Sequence, residues 1–407
     1  MSKRRIVTIA VMLIILTNII TFGLTNIISI KYKDKVVLSA NEYNQLISTY
    51  KKYSKLASLE DYIKENYLYE IDDEKLLEGQ LKGLFQALDD PYSVYMTEEE
   101  FKSFTEHTSG IYGGIGVIVT PGEDNLITVV APIEGTPGER AGLRTGDKII
   151  KVDDKEFTAD NMDKAVKMMK GEPNTTVTLT ILRKTKDGKN QYIDMEIVRE
   201  EIRLVTVKSD IIEDSIGYIN ITSFDELTYD DFKKELNSLM KQNIAALILD
   251  LRNNPGGLLN VCIDIADEFL DEGVIVYTET RRGERVYEKS DKKHIDIPLV
   301  VLVNEGSASA SEILAGAIRD RNRGILIGTK TFGKGIVQRI RELSDGTGFK
   351  LTVSEYFTPN GTSIHGLGIE PDIVVELPED VEEIGIDNLR EDVQLQKAIE
   401  KVKEMIR

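Results

Sequence analysis

The sequence predicts a mixed α/β protein of the α+β class, in which a membrane anchor, a helical segment, a small β-rich domain, a larger α/β core and a C-terminal helix follow one another. Three patterns predict this order. A long apolar stretch opens the chain, short β-branched runs occupy residues 110–200, and strands alternate with helices after Leu204. The 407 residues, 41% of them apolar, leave room for two or three domains.

The first segment, residues 1–35, is predicted to be an uncleaved transmembrane anchor. A basic run at residues 3–5 precedes an apolar stretch from Ile6 to Ile30, which is long enough to span a bilayer. A cleavable signal peptide would have a shorter apolar region and a small-residue exit, and neither is found. We expect a single-pass protein of the cell membrane with its main body outside the cytoplasm. Three lysines beyond the apolar stretch, Lys31, Lys33 and Lys35, nearly balance the basic residues before it, so the flanking charges favour neither orientation strongly.

Residues 41–105 have apolar side chains at three- and four-residue spacing, which predicts amphipathic helices. Such helices pack either on the main body or on a second copy of the chain, so a homodimer stays an open alternative.

Residues 204–380 alternate between strand and helix patterns, which favours an α/β core with buried strands. A helical tail at 381–407 closes the chain.

Residues 110–200 form the predicted β-rich domain. Within it, Gly114, Ile115, Gly116 and Val117 form a glycine-flanked turn that leads into a strand. Such a turn lets backbone N–H groups converge on a peptide's terminal carboxylate, while an open strand edge pairs with the peptide backbone. An ordinary tight turn is the alternative.

Composition excludes several functions. The net charge of −18 argues against a nucleic-acid surface, which needs clustered Lys and Arg. A lone cysteine, Cys262, rules out an internal disulfide, and its neighbours predict a buried position on a helix. The three histidines lack the spacing of metal ligands, so we expect no metal and no cofactor.

Ser309 lies between a predicted buried strand and a predicted helix. A hydroxyl at a helix N-terminus is close to free N–H groups, so the amide of Ala310 is a candidate donor to an oxyanion. Ser309 and Glu312 also fit the S-x-x-E capping box, whose role is only to stabilise the helix start. Both alternatives are open for the serine alone.

Lys334 follows Ser309 by 25 residues and is the candidate base. A lysine removes a proton from a hydroxyl only when burial lowers its pKa, and the flanking residues are apolar enough to supply that burial. Gln338, four residues later, is placed to orient the lysine without adding a charge. The turn at Gly256 and Gly257 is a candidate second oxyanion donor, although it also fits a plain strand-to-helix turn.

Two competing sites are weighed against this pair. Residues 328–334 match most of a phosphate-binding loop, but Gly335 stands where Ser or Thr is needed to hold magnesium. A Ser/His/Asp triad through His365 is also compatible with the sequence, because the members of a triad are neighbours only in space.

Several motifs together resemble the carboxyl-terminal processing peptidases, also called tail-specific proteases. They are LDDPYSVYM, DLRNNPGG, GSASASEILAGAIRD, TFGKGIVQ and YFTPNGTSIHGLGIEPDI, in that order, and the resemblance covers nearly everything after about residue 60. It implies a PDZ domain joined to a serine peptidase that cleaves extracytoplasmic proteins at or near apolar C-termini. The β-rich domain would be that PDZ domain, with its carboxylate loop at 114–117.

The resemblance also implies roles for the candidate residues. Ser309 would be the nucleophile, Lys334 the general base and Gln338 the residue that positions the lysine. The oxyanion hole would combine Ala310 with Gly256 or Gly257. The chain departs from the family at Lys170 and Asn174, where an arginine and a glycine are usual, which puts in doubt any contact that needs a bidentate arginine. A non-catalytic PDZ adaptor is the alternative function.

Overall fold

The computed structural model describes residues 2–27, 30–32, 35–185, 187–213, 215–378, 381 and 383–406. The chain divides into two compact units, residues 1–80 and 81–407. Its helices and sheets confirm the mixed α/β class that the sequence predicts.

The first unit is helical apart from one short antiparallel strand pair. Its elements are α1 Lys3–Ile27, β1 Ile30–Tyr32, β2 Lys35–Val37, α2 Ala40–Asn66 and the start of α3 Asp73–Gln86. A capping box begins α2: the Ser39 N–H donates to the Glu42 carboxylate, and the Glu42 N–H donates to Ser39 Oγ.

Residues Lys3–Phe22 of α1 form a helix that is long and apolar enough to cross a membrane. Among the described residues it is the one helix with this property. Both an anchor and a signal sequence have this length and composition. Ile28, Ser29 and Lys33, which belong to the predicted anchor, lie outside the described residues.

The second unit continues with β3 and α4 and then forms the β-rich domain. The elements are β3 Val94–Met96, α4 Glu98–Ser109, β4 Ile111–Gly114, β5 Val117–Pro121, β6 Ile127–Pro132, α5 Pro137–Arg140, β7 Lys148–Val152, β8 Lys155–Glu156, α6 Met162–Met169, β9 Thr176–Lys184, β10 Asn190–Val198 and β11 Glu200–Arg203.

The sheet of the β-rich domain has the order β10-β9-β7-β6-β5, with β8 on β7, so β5 is an edge strand. Alternate residues of β9 point inward, because one face of the sheet covers the domain core. Val177, Leu179 and Ile181 are fully buried there and pack with residues of α6. A separate pair, β4 and β11, connects the domain to the rest of the unit.

The α/β core follows. Its elements are β12 Val207–Ile212, β13 Ile216–Ile221, α7 Thr228–Lys241, β14 Ala246–Asp250, α8 Leu259–Asp267, β15 Gly273–Thr280, β16 Arg285–Ser290, β17 Leu299–Val303, α9 Ala310–Asp320, β18 Ile325–Gly328, β19 Ile336–Glu342, β20 Gly348–Phe357, β21 Ile373–Val374 and α10 Val393–Ile406.

The main sheet of the core has the order β12-β13-β14-β17-β18-β21 and is parallel except for β12. Helices cover both faces, so the central strands are buried throughout, as the sequence predicts. In β14, Leu247 and Leu249 pack in the cluster that includes α7, α8 and α9. Ala246 and Ile248 pack in the cluster that includes α10.

A second sheet, antiparallel, has the order β16-β15-β20-β19, with β3 on β20. It brings together segments that are distant in sequence: the Thr352 N–H donates to Ser93 Oγ over a separation of 259 residues. The predicted position of Cys262 is also found, because this residue is fully buried on α8.

Candidate active site

Ser309 lies at the end of the serine loop, residues 304–309, which connects β17 to α9. Its φ of 55° and ψ of −112° are unusual for a residue with a side chain. Hydrogen bonds hold this conformation: Ser307 Oγ donates to the Leu251 carbonyl at 2.8 Å, and the Ala308 N–H donates to the Asn254 carbonyl at 3.0 Å. The loop is therefore fixed against the segment that follows β14.

Part of the predicted capping box is present at Ser309. Its N–H donates to Glu312 Oε2 at 2.9 Å. The Glu312 N–H donates to the Ser309 carbonyl oxygen at 2.9 Å, so this amide has a partner without the hydroxyl. Among the described residues, the Ala310 N–H has no hydrogen-bond acceptor. The helix start therefore presents a free donor beside the Ser309 side chain.

Glu312 connects the serine loop to the lysine loop, residues 329–335. Its side chain is fully buried. Besides Ser309, the carboxylate accepts hydrogen bonds from three groups of the lysine loop: Thr331 Oγ1 at 2.6 Å, the Gly333 N–H at 2.7 Å and the Lys334 N–H at 2.8 Å. Four donors satisfy a buried carboxylate without a cation.

Lys334 is half-buried, and its Nζ lies over the ring of Tyr92, 4.8 Å from the centroid. Burial lowers the pKa of Lys334, and the charge of Lys350 lowers it further, whereas Asp90 and Glu312 act in the opposite direction. In the described part of the chain, no carboxylate forms an ion pair with Lys334. The environment of Lys334 therefore holds its pKa below that of a free lysine.

Ser309 and Lys334 line one cavity of about 330 Å³ in the second unit. The other predicted catalytic and oxyanion residues line it as well: Gly256, Gly257, Ala310 and Gln338. Most of the other lining residues are apolar and come from α4, the loops after β13 and β14, α8, α9 and β19; together with Thr108 they are Phe104, Phe224, Pro255, Leu258, Leu259, Ile313, Ile336, Val337 and Ile340.

The two glycines of the predicted oxyanion turn differ. The Gly256 N–H donates to Asn254 Oδ1 at 2.8 Å and is therefore occupied. The Gly257 N–H has no acceptor among the described residues. A Cβ on Gly257 would lie 2.1 Å from the Phe224 carbonyl oxygen, so a larger residue does not fit. These contacts favour Gly257 over Gly256 as the donor that accompanies Ala310.

Gln338 lies on β19. Its Nε2 is 3.4 Å from the Ile336 carbonyl oxygen, a long hydrogen bond, and none of the described hydrogen bonds joins it to Lys334. The structure thus places Gln338 in the cavity without the contact to Lys334 that its expected role requires. Hydrogen bonds of this kind are often long or absent before substrate binds.

The predicted carboxylate loop, residues 114–117, lies before the edge strand β5. The Ile115 carbonyl accepts from the Gly138 N–H at 2.7 Å, and the Gly116 carbonyl accepts from the Ile133 N–H at 3.0 Å. The N–H groups of Ile115 and Gly116 have no acceptor among the described residues. Two unpaired amides next to an open strand edge fit the terminus of an extended peptide.

The two departures from the family pattern have visible consequences. Lys170 Nζ lies 4.6 Å from the centroid of the Tyr112 ring and 3.4 Å from Glu106 Oε2. Asn174 has a φ of 68°, a conformation that glycine adopts freely and asparagine tolerates. The asparagine therefore keeps the turn that the usual glycine would make.

The competing sites are not formed. His365 lines a different cavity, of about 640 Å³, together with Asp90 and Tyr92, so it does not complete a triad with Ser309. The segment after Lys334 continues as strand β19 instead of the helix that follows a phosphate-binding loop. Within the described residues, no group of His, Cys, Asp and Glu side chains is arranged to hold a metal.

Sequence reasoning missed several polar side chains that line the cavity, among them His107, Lys350 and Tyr356. The hydroxyl of Tyr356 donates to the Lys334 carbonyl oxygen. These residues come from α4 and β20, which reach the cavity through long-range strand pairing, so no local motif marks them. The sequence did mark Glu312, because it lies three residues after Ser309 in the S-x-x-E pattern. That pattern predicted a helix cap and not the hydrogen bonds to the lysine loop.

Comparisons with known proteins show which family this chain resembles. The sequence pattern of Peptidase family S41 matches residues 215–375, that of the PDZ domain matches 128–183, and that of the Activating protease CtpB N-terminal domain matches 14–100. A Carboxy-terminal-processing protease of Bartonella bacilliformis is 41% identical over 84% of this chain and 78% of its own length. The Carboxy-terminal processing protease CtpA of Bacillus subtilis is 41% identical over 81% of this chain and 70% of its own length.

A solved structure of a putative S41 protease from Bacteroides fragilis shares the fold, with a TM-score of 0.52 at 16% identity over 83% of this chain and 91% of that one. The extent of identity to the two curated proteases excludes a chance likeness. This chain therefore belongs to the carboxy-terminal processing proteases, serine peptidases of family S41 that carry a PDZ domain.

Proposed function

We propose that this protein is a membrane-anchored serine endopeptidase that cleaves extracytoplasmic proteins at or near their C-termini with a Ser309/Lys334 dyad. One observation carries the proposal. Ser309 and Lys334 line the same cavity, their main chains are held by one buried carboxylate, and the lysine has no ion-pair partner among the described residues. This arrangement brings a hydroxyl and an amine of lowered pKa to one cavity, as acyl transfer by a Ser/Lys dyad requires.

The chemistry proceeds in two halves. The Lys334 amine accepts the Ser309 hydroxyl proton as Oγ attacks the scissile carbonyl, and the N–H groups of Gly257 and Ala310 stabilise the resulting oxyanion. The Lys334 ammonium then donates that proton to the leaving amine, and an ester to Ser309 remains. In the second half, water attacks the ester and Lys334 accepts a proton from that water. The bond to Ser309 Oγ then breaks, Lys334 returns the proton to Oγ, and the peptide leaves with a new carboxyl terminus. Gln338 orients the lysine when substrate is bound.

The PDZ domain holds the substrate tail. The free N–H groups of Ile115 and Gly116 bind its carboxylate, and the edge strand β5 pairs with its backbone. Val117 on β5 and Val166 on α6 are partly buried apolar residues that pack on the domain core, and in this proposal they contact the apolar end of the tail.

The anchor is the apolar helix α1. Carbonate extraction of membranes from cells that make the full chain tests this part of the proposal. Release of the full-length protein like a soluble control, or recovery of a product that lacks the N-terminal segment, would contradict an uncleaved anchor.

The catalytic proposal is tested by hydrolysis of casein and of a tail peptide. We expect Ser309→Ala and Lys334→Ala each to lower kcat/KM by about 10⁴-fold or more, since each removes a partner of the same proton transfer. Lys330→Ala is the matched control, because Lys330 lies on the same loop with an exposed ion pair to Glu370.

Peptide binding measured on the same variants separates catalysis from adaptor function. Both active-site variants should still bind the tail peptide. Turnover that survives both substitutions would refute the dyad, and loss of folding would be recognised by loss of peptide binding.

A further inference from the structure

Lys350 is a second ammonium group in the active-site cavity. It lies on β20, where it pairs with Ile340 of β19 and Val94 of β3. Its side chain is half-buried and lines the cavity together with Ser309. The Nζ is 5.2 Å from the centroid of the Phe104 ring. This aromatic face is the contact that the described structure provides for the charge.

The cavity offers this ammonium group no anion. None of the described residues that line the cavity is Asp or Glu, although the whole chain has 69 acidic and 51 basic residues. No described carboxylate forms an ion pair with Lys350. An aromatic ring compensates a cation only partly when water is excluded. When bound substrate excludes water from the cavity, Lys350 therefore has no carboxylate partner among the described residues of the protein.

The acidic groups nearest to the dyad are occupied elsewhere. Glu312 accepts four hydrogen bonds from the two loops. Asp90 accepts from the Tyr92 N–H at 2.9 Å and from Ser93 Oγ at 2.5 Å, and it lines the neighbouring cavity. Lys334 acts as the base in the proposed mechanism, and an ion pair with a substrate carboxylate would raise its pKa and oppose that role.

We propose that Lys350 is a specificity-determining residue that binds a carboxylate of the substrate peptide inside the active-site cavity. The inference rests on the proposed function, since it assigns the substrate group that the peptidase site takes. Near a C-terminus this carboxylate is either the terminal α-carboxylate or an acidic side chain beside the scissile bond. Both supply the same charge, and the experiment distinguishes them.

The test is a cycle of enzyme and substrate changes with the full-length protein. Four peptides are based on one sequence that the wild type cleaves. They combine a free or an amidated C-terminus with Glu or Gln next to the scissile bond. We expect kcat/KM of the wild type to fall about 10- to 100-fold more than that of Lys350→Met when the recognised carboxylate is neutralised, mainly through KM.

The cycle separates carboxylate recognition by Lys350 from carboxylate recognition by the PDZ domain. Carboxylate binding by the PDZ domain changes both enzymes by the same factor, so it cancels. An amidation effect that is smaller in Lys350→Met than in the wild type assigns the α-carboxylate, and a Glu-to-Gln effect that is smaller in Lys350→Met assigns the acidic side chain. Lys350→Arg should keep the discrimination, and so should Lys289→Met, which removes an exposed lysine from the same sheet.

Equal effects of both peptide changes on wild type and Lys350→Met would overturn the inference while leaving the peptidase assignment intact. Absence of Ser309-dependent cleavage of all four peptides would refute the proposed function and the inference with it. Lys350→Gln gives the same comparison if the methionine variant does not fold.

Discussion

At the scale of single residues, the site depends on one carboxylate that does no chemistry. Glu312 accepts one hydrogen bond from the serine loop and three from the lysine loop. Two loops from different parts of the sequence are thereby held at one buried point. Because proton transfer between Ser309 and Lys334 requires close alignment, a small change at this point should affect catalysis strongly.

Glu312→Gln is the substitution that tests this role. The amide keeps the shape of the carboxylate, but its NH₂ group opposes two of the four donors. We expect kcat to fall at least about tenfold with a smaller change in KM, and the free energy of unfolding to fall by about 1–3 kcal/mol. Steady-state kinetics and urea unfolding measure the two effects.

The matched control for that substitution is Glu305→Gln, since Glu305 is exposed and, within the part of the chain that the structure describes, its carboxylate accepts from Thr329 alone. If Glu312→Gln lost stability but kept kcat, the carboxylate would act as a helix cap alone.

The pKa of Lys334 gives a second prediction at this scale. Only the neutral amine acts as base, so activity should rise with pH through a pKa below that of free lysine. Burial is the largest cause of the lowering, followed by Lys350, while Asp90 and Glu312 raise the value. Lys350→Met removes a lowering charge and should move the rise of kcat/KM to higher pH. Asp90→Asn removes a raising charge and should move it to lower pH.

The two shifts are measured on an amidated, Gln-containing peptide, so that substrate recognition does not interfere. Shifts in the same direction for both variants, or a profile that falls between pH 6 and 9, would be incompatible with Lys334 as the base.

At the scale of elements, a buried ion-pair network joins β14 to α10. Arg252 follows β14 with a fully buried side chain, and its guanidinium binds Asp250 and, at 2.8 and 2.9 Å, Asp392. Asp392 also accepts from the Leu395 N–H at the start of α10. The network therefore attaches the C-terminal helix α10 to Arg252, which lies directly before the turn that carries Gly257.

Arg252→Met should lower the free energy of unfolding by about 3–5 kcal/mol, because it leaves two buried carboxylates without their cation. Urea unfolding followed by circular dichroism measures the loss. Lys397→Met, which removes an exposed pair with Glu400, should cost less than about 1 kcal/mol. Equal losses from the two substitutions would show that the buried network does not fix α10.

At the scale of the whole molecule, local patterns were enough to predict the order of segments and much of the candidate site. Alternating β-branched runs and continuous apolar runs indicate strands directly, because burial sets their period. Ser309 and Lys334 could be selected from the helix start, the apolar flanks and the family motifs around them. Their roles stay proposals that the geometry supports.

The rest of the site depends on long-range pairing that a sequence does not display. Lys350 and Tyr356 reach the cavity because β20 pairs with β19, and Tyr92 lies against Lys334 just before β3 pairs with the same strand. The choice between Gly256 and Gly257 depends on which amide Asn254 occupies. Such contacts are decided by tertiary packing and not by the spacing of residues.

The most direct measurement of the central claim is covalent labelling of Ser309 by a fluorophosphonate, followed by intact mass and peptide mapping as pH is varied. We expect one label on Ser309 in the wild type, with a rate that rises with pH through the lowered pKa of Lys334. Lys334→Met should abolish labelling while the protein stays folded. Labelling of Ser309 at an undiminished rate in Lys334→Met, or labelling of a different residue in the wild type, would contradict the account.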